Sequence, residues 1–242
     1  MLDQVQEGRN GRALRWLATI RYLTWLKDPK SGLVPEDAEE RYLKAYYYLA
    51  ANPPKRWFTE WGTHNRCWHR YVPQRIALEE ARKAGEPVDE RIPPYVSWHT
   101  ERIWKMGDTS DNSAGYHWTF FRFAWQYFMH TGDWDEFLDH PEFMKTIRRY
   151  VEMVSPSGAC AQFGSTSGWP TVGMSMFIYE WISTISKDGM FKWRSHRIAE
   201  YYYNHMDHRF QQYHLPADRA RQSFLLGYLF ADDSISPEAP PA

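Results

Sequence analysis

The stretch "DTSDNSAGYHWTFFRFAWQYFMHTG", residues 108–132, carries most of the information about the fold. Its aromatic side chains recur at helical spacing in two stripes: Trp118, Phe121, Trp125 and Phe128 in one, and Phe120, Phe123 and Tyr127 in the other. A helix with apolar stripes on two sides needs neighbouring helices on more than one side. The stretch therefore predicts an inner helix that is wrapped by outer ones.

The same helical period dominates the rest of the chain and predicts an all-α protein. We predict helices near residues 12–27, 36–51, 65–84, 94–106, 114–131, 141–154, 172–186, 192–208 and 217–231. Gly107 and Gly132 follow two of these helices, whereas Pro141 and Pro216 occupy first-turn positions of two others. Convincing alternating strands and repeats of fixed length are both lacking in the sequence.

The composition excludes several classes of protein. The chain has 242 residues and a net charge of -1, which gives no broad electrostatic attraction to nucleic acid. No run approaches the ~18 apolar residues of a membrane-spanning helix, so no membrane partner is expected. Two cysteines, Cys67 and Cys160, form neither a disulfide framework nor a paired metal motif.

The two ends of the chain bear on the cellular location and the domain organisation of the protein. The first residues, "MLDQVQEGRNGR", have no apolar segment of a signal peptide, which predicts either a cytoplasmic protein or a fragment targeted by a segment elsewhere. Residues 232–242 are rich in proline and predict a linker after a helical domain of residues 1–231.

Three polar segments interrupt the apolar pattern, and the first is "WGTHNRCWHR", residues 61–70. The loop residues Gly62 and Thr63 place His64 and Asn65 at or near the start of a helix. The simpler interpretation is that Thr63 or Asn65 caps this helix. The functional interpretation is that the Asn65 amide lies above an apolar stripe, with His69 one turn further on.

The second segment precedes the aromatic helix. Asn112 or Ser113 is a suitable N-cap, which places Tyr116 and His117 in the first turn. Unpaired backbone N–H groups and the positive end of the helix dipole favour an anion there and make a phenolate less unfavourable. The alternative is that Tyr116 packs as another aromatic residue and His117 hydrogen-bonds a neighbouring loop.

The third segment is "SPSGACAQFGSTSGWP", residues 155–170. Long connections between strong helices are often functional, and Gln162, Ser165, Thr166 and Trp169 offer groups that hydrogen-bond to or stack on a sugar. The glycine spacing does not fit a phosphate-binding loop. The alternative is a solvent-exposed flexible loop.

In this order, the three segments resemble the helical part of the heparinase II/III-like polysaccharide lyases, whose α/α toroid is shared with alginate and chondroitin lyases. The counterparts here are "THNR" at 63–66, "SAGYH" at 113–117, and "PSG" at 156–158 leading to "FGSTSG" at 163–168. The resemblance covers about residues 55–242. It implies an incomplete α/α toroid of antiparallel helix hairpins, a missing C-terminal β-sandwich domain, and a periplasmic or secreted parent protein.

The resemblance also implies the chemistry, which is β-elimination on an anionic, uronic-acid-containing polysaccharide without a metal or other cofactor. Asn65 would neutralise the C5 carboxylate, and Tyr116 would act as base, acid or both, with His117 as a second base or an orienting group. Substrate contacts are predicted for a larger set: His64, Arg66, Trp68, His69, Gln162, Ser165 and Trp169. Two of these depart from the family pattern, because Arg66 stands where a histidine is usual and Ser165 where an acidic residue is usual.

Other interpretations stay open at this stage. A glycoside hydrolase on a similar helical scaffold would need two carboxylates, for which Glu101, Asp108 and Asp111 are available. A non-catalytic carbohydrate-binding fragment is a second alternative. Trp68, Trp118 and Trp169 are either sugar-stacking or core residues. A metal site at His205, Asp207 and His208, with His214 nearby, is a weaker hypothesis.

Overall fold

The computed structural model describes residues 36–59, 61–111, 114–159, 161, 172–205, 227–228 and 230–240. Helices account for most of these residues, and no β-strand occurs among them. The all-α prediction is therefore confirmed for this part of the chain. The helix predicted near residues 12–27 lies outside the described ranges, as does most of the helix predicted near 217–231.

The helices have bounds close to those predicted. They are α1 (Ala38–Ala51), α2 (Asn65–Ala84), α3 (Ile92–His99), α4 (Ala114–Thr131), α5 (Trp134–Asp139), α6 (Pro141–Glu152), α7 (Val172–Ser186) and α8 (Gly189–His205). A short 3-10 helix covers Lys55–Phe58, and one turn of π-helix, Thr100–Trp104, follows α3 directly. We did not predict the 3-10 helix and α5 from the sequence, because a segment of four to six residues is too short to show a helical period.

Local chemistry explains where helices begin and end. Gly107 follows the helical turns after α3 with a φ of 62°, and Gly132 follows α4 with a φ of 73°. The left-handed conformation lets the Gly132 N–H donate to the Phe128 carbonyl at 2.8 Å. Pro141 is the first residue of α6, as predicted, and the preceding His140 accepts a hydrogen bond from the Phe143 N–H.

The described residues form two compact units. The first contains the residues up to Ser110 together with Arg122–Asp133, and the second contains Asp111–Phe121 and the residues from Trp134 onward. Residues of α4 thus belong to both units. From the sequence we predicted one helical domain over residues 1–231, without a division into two units.

The first unit is built on α2, which packs against α1 and α3. Its core is dominated by aromatic side chains: Tyr46, Trp68, Tyr71, Tyr95, Trp104, Phe123, Trp125, Tyr127 and Phe128 are all buried. The predicted burial of the aromatic stripes of α4 is confirmed for Phe123, Trp125, Tyr127 and Phe128, and for Phe120 and Phe121 in the second unit.

A polar network crosses this aromatic core. Arg75 donates to Glu79 at 3.0 Å and to the Tyr71 hydroxyl at 2.8 Å, while the Tyr127 hydroxyl donates to the same Glu79 oxygen at 3.0 Å. The Tyr71 hydroxyl also lies 2.9 Å from Oγ1 of Thr100 in the π-helical turn. These bonds connect α2 to the π turn and to α4, so that the buried polar atoms of the network satisfy one another.

The second unit contains α5, α6, α7 and α8, of which α7 and α8 pack along each other across a two-residue connection. Its core includes Trp181, whose ring centroid lies 4.8 Å from that of Phe137 and 5.6 Å from that of Trp134. Phe143 stacks on Phe137 with centroids 5.9 Å apart. These contacts join α5 and α6 to α7.

The segment predicted as a linker is docked on the second unit as far as Glu238. The Glu238 N–H donates to the Gly189 carbonyl at 3.0 Å, and Lys192 Nζ donates to the Asp232 carbonyl at 2.6 Å. A Cβ atom on Gly189 would lie 2.3 Å from the Ser236 carbonyl oxygen, so the absence of a side chain permits this close approach. The proline-rich composition alone predicted only a linker.

Candidate functional site

The chain enters α2 through an extended residue. His64 is the N-cap, with φ −86° and ψ 169°, and its side chain makes no capping hydrogen bond. The simpler interpretation of this stretch, in which Thr63 or Asn65 caps the helix, is therefore wrong. The Thr63 carbonyl instead accepts hydrogen bonds from Thr109 Oγ1 at 2.8 Å and the Ser110 N–H at 3.1 Å, which fix the entry to α2.

The predicted site residues at this entry differ in exposure. Asn65 is the first residue of α2 and is half-buried, whereas Arg66 is exposed. His64 is also half-buried, and its Nε2 lies 3.5 Å from Sγ of the buried Cys67. An amide and a guanidinium on consecutive residues present the donor groups that suit a carboxylate.

Trp68 has a role different from the predicted sugar stacking. Its side chain is 0% exposed, and its ring makes edge contacts with Trp104 at 5.5 Å and Tyr71 at 6.1 Å between centroids. A ring without exposed surface has no face to offer a sugar, so we assign Trp68 to the core. His69, half-buried one residue further on, packs edge-on against Phe123 at 4.6 Å.

An exposed aromatic residue that the sequence analysis did not select lies at the same entry. Trp61 is 48% exposed and lies parallel to the buried His99 ring, at an interplanar angle of 9° and a centroid distance of 6.0 Å. Tyr95 and Trp98 each contact it edge-on at 5.3 Å. We call Trp61, Tyr95, Trp98 and His99 the tryptophan platform. The only signal in the sequence was a tryptophan in a short loop, which helical periodicity does not select.

His99 lies under Trp61 as a neutral ring. It is 0% exposed, and neither ring nitrogen has a hydrogen-bond partner in the described structure. Burial, together with the electrostatic influence of Arg102 and His64, lowers the pKa of His99 to about 4. The imidazole is therefore uncharged at neutral pH. The π-helical turn begins at the next residue, and such turns are frequent at functional sites.

The second unit holds the predicted acid–base pair. Tyr116, in the first turn of α4, is half-buried. His117 is 6% exposed, and its ring lies 4.8 Å from that of Tyr150. Burial suits the predicted orienting role of His117 better than the role of a base that meets the substrate directly. The predicted N-caps Asn112 and Ser113 lie outside the described residues.

The third predicted segment is described only at its beginning. Residues 155–159 form a turn after α6, which we call the 155–159 turn: the Ser155 N–H donates to the Ala159 carbonyl at 2.8 Å and the Gly158 N–H to the Ser155 carbonyl at 2.9 Å. Pro156, Ser157 and Gly158 therefore lie in a turn. The remaining predicted residues, Gln162, Ser165, Thr166 and Trp169, lie outside the described residues, and so does the side chain of Trp118.

The three carboxylates of the hydrolase alternative lie in different surroundings. Asp108 Oδ1 accepts a hydrogen bond from the Thr109 N–H at 2.7 Å. Glu101 is 61% exposed in its side chain and lies 3.9 Å from Arg102. Asp111 is half-buried in the second unit. The metal hypothesis depends on residues that are not described: Asp207, His208, His214 and the side chain of His205.

Across the described ranges, no three His, Cys, Asp or Glu side chains are grouped as metal ligands would be. No helix in the same ranges has both the length and the apolar character needed to cross a bilayer. Comparison with known proteins finds that no protein-family model, no curated protein and no solved structure matches this chain.

Proposed function

We propose that this chain is the helical part of a polysaccharide lyase, similar to the heparinase II/III-like family, that cleaves uronic-acid-containing polysaccharides by β-elimination. The proposal extends the resemblance of the three polar segments. It includes an incomplete α/α toroid as the scaffold and a β-sandwich domain elsewhere in the parent chain.

The observation that carries the proposal is the arrangement at the entry to α2. Asn65 is the first residue of α2, directly after the N-cap residue His64, and it is half-buried. The exposed guanidinium of Arg66 follows it directly. An amide and a cation are the groups that stabilise the charge developing on a uronate carboxylate when the C5 proton is removed.

The reaction assigns one role to each residue. The Asn65 amide donates to the C5 carboxylate, and Arg66 contributes positive charge. Tyr116, as phenolate, takes the C5 proton; the C4–C5 double bond forms as the C4–O bond breaks, and the leaving oxygen receives a proton from the Tyr116 phenol. His117, buried against Tyr150, holds Tyr116 in orientation.

The direct test is a substrate screen with the full chain, and with the parent protein that contains the β-sandwich. Alginate, heparan, chondroitin, hyaluronan and ulvan are incubated with the protein, and new ultraviolet absorbance of an unsaturated uronate is recorded. Tyr116→Phe is expected to reduce turnover at least about 100-fold and to retain binding, because it removes only the proton-transferring hydroxyl.

The matched control is Tyr228→Phe, which removes the hydroxyl of a tyrosine that is 80% exposed and has no role in the proposal. Its turnover is expected to equal that of the wild type. Reducing sugar released without ultraviolet absorbance would identify a hydrolase and contradict elimination. Equal turnover of wild type and Tyr116→Phe would contradict the role of Tyr116.

A further inference from the structure

Trp61 is exposed in a manner that core packing does not explain. Three large apolar residues are exposed in the described part of the chain: Trp61 at 48%, Met106 at 38% and Tyr228 at 80%. Of these, only Trp61 belongs to a cluster of rings in the described contacts, and it lies directly before the entry to α2. An exposed tryptophan with a buried underside is the surface on which the apolar face of a sugar ring stacks.

The indole is held in one orientation. Its Nε1–H donates to the Phe58 carbonyl at 3.1 Å, its ring lies parallel to the His99 ring, and Tyr95 and Trp98 make T-shaped contacts with it. A ring fixed in this way loses little conformational entropy when a ligand stacks on its exposed surface. The platform is thus preorganised for binding.

The charges around the platform favour an acidic sugar over a neutral one. The guanidinium of Arg102 lies 4.3 Å from the centroid of the Trp98 ring, which itself contacts Trp61. Arg102 is 49% exposed, and its guanidinium lies 3.9 Å from the carboxylate of Glu101, a separation at which the guanidinium remains accessible to a second carboxylate. His99 beneath the indole is neutral at neutral pH and adds no charge of its own.

We propose that the tryptophan platform is a binding subsite for a uronate residue of the polysaccharide, with the sugar ring stacked on Trp61 and its carboxylate facing Arg102. The proposal rests on the proposed function for the identity of the polymer. Binding at Trp61 does not require turnover. Experiments can therefore contradict the subsite proposal and the lyase proposal independently of each other.

The test measures binding by calorimetry in the Tyr116→Phe background, which prevents turnover. The probes are hexasaccharides prepared from alginate, hyaluronan and chondroitin, with neutral cellohexaose for comparison. Trp61→Ala is expected to weaken binding of the uronate hexasaccharide about tenfold, and Trp61→Phe to weaken it less, since a smaller ring still stacks. Arg102→Gln is expected to reduce the preference for the acidic over the neutral probe.

Tyr228→Ala is the control, because it removes a more exposed aromatic ring without a cluster beneath it, and its Kd is expected to be unchanged. Equal Kd values for Trp61→Ala and its parent, with circular dichroism showing both folded, would overturn the proposal. Lack of binding to every acidic probe would overturn it too.

Kinetics separate the two proposals. If Tyr116→Phe abolishes elimination but Trp61→Ala leaves KM unchanged, the subsite is wrong and the lyase proposal stands. If no polymer is cleaved but binding depends on Trp61, the lyase proposal is wrong and the subsite stands.

Discussion

The tryptophan platform of the first unit and the 155–159 turn of the second are held by different forces. The platform is a stack of side chains, in which Trp61 lies on His99 between Tyr95 and Trp98. The turn is held by its backbone: Ser155 pairs with the Ala159 carbonyl, and a Cβ atom on Gly158 would lie 1.9 Å from the Arg197 carbonyl oxygen.

The difference has consequences for substitution. A ring stack loses contacts in proportion to the area removed, so its variants should span a graded range of stability. A backbone turn closed over a glycine has no such range, because the first added carbon already overlaps a neighbouring backbone atom. The predictions below test this contrast, beginning with the largest effect.

Trp68→Ala is expected to lower the free energy of unfolding by about 3–5 kcal/mol, because it opens a cavity in the aromatic core of the first unit. Trp61→Ala, seven residues earlier, is expected to cost less, about 1–2.5 kcal/mol, since that ring is 48% exposed. Urea unfolding monitored by circular dichroism measures both. Equal losses would show that the two tryptophans are equally packed.

Gly158→Ala is expected to cost about 3–4 kcal/mol, because its φ of 91° is strained for alanine and the new Cβ meets the Arg197 carbonyl. Gly85→Ala is the matched control: its φ is 71°, but no atom lies within 4 Å of the new Cβ. We expect it to cost only about 1 kcal/mol. Thermal unfolding of both variants provides the comparison. Similar melting temperatures would mean that the 155–159 turn rearranges to accommodate the added methyl group at little cost in stability.

We expect the free energy of unfolding to depend on pH because His99 of the tryptophan platform is buried. The unfolded chain binds a proton near the ordinary pKa of 6.5, whereas folded His99 does so only near 4. Between these values the unfolded state binds more protons, so the free energy of unfolding falls as the pH falls, by up to about 3 kcal/mol in total.

His99→Phe removes this titration and keeps an aromatic ring among Tyr71, Tyr95 and the tryptophans. Its free energy of unfolding should therefore fall less steeply from pH 6.5 to 4 than that of the wild type. The neighbours Arg102 and His64 are present in both proteins, so the difference between the slopes reports His99. Parallel slopes would contradict the prediction.

The smallest effect is expected at the edge of the platform. Arg102→Gln removes the guanidinium above Trp98 at a partly exposed position, and should cost about 0.5–1 kcal/mol. Arg41→Gln offers a control, since it removes an exposed ion pair with Asp37 and should cost less than about 0.5 kcal/mol. Equal losses in urea unfolding would show that the Trp98 contact adds nothing.

Local sequence signals were sufficient for the helices and most of their ends. The period of α2, α4 and α7 extends over four or more turns, and Gly107 and Gly132 stop helices by backbone conformation alone. α5, with six residues, is too short for a period to be recognised. The docking of residues 230–238 on α7 and α8 depends on contacts with residues distant in sequence, which composition does not encode.

By itself, the sequence determined the helical class, the position of α4 as an aromatic helix, and the placement of Asn65 and Tyr116 in first turns. These follow from the side-chain period and from residue types at helix ends, both of which act over a few residues. Only the tertiary structure decided that Trp68 is core and Trp61 is surface. Burial depends on which rings pack over a side chain. In this unit Trp68 is fully buried against Tyr71 and Trp104, whereas the rings of α3 leave Trp61 48% exposed.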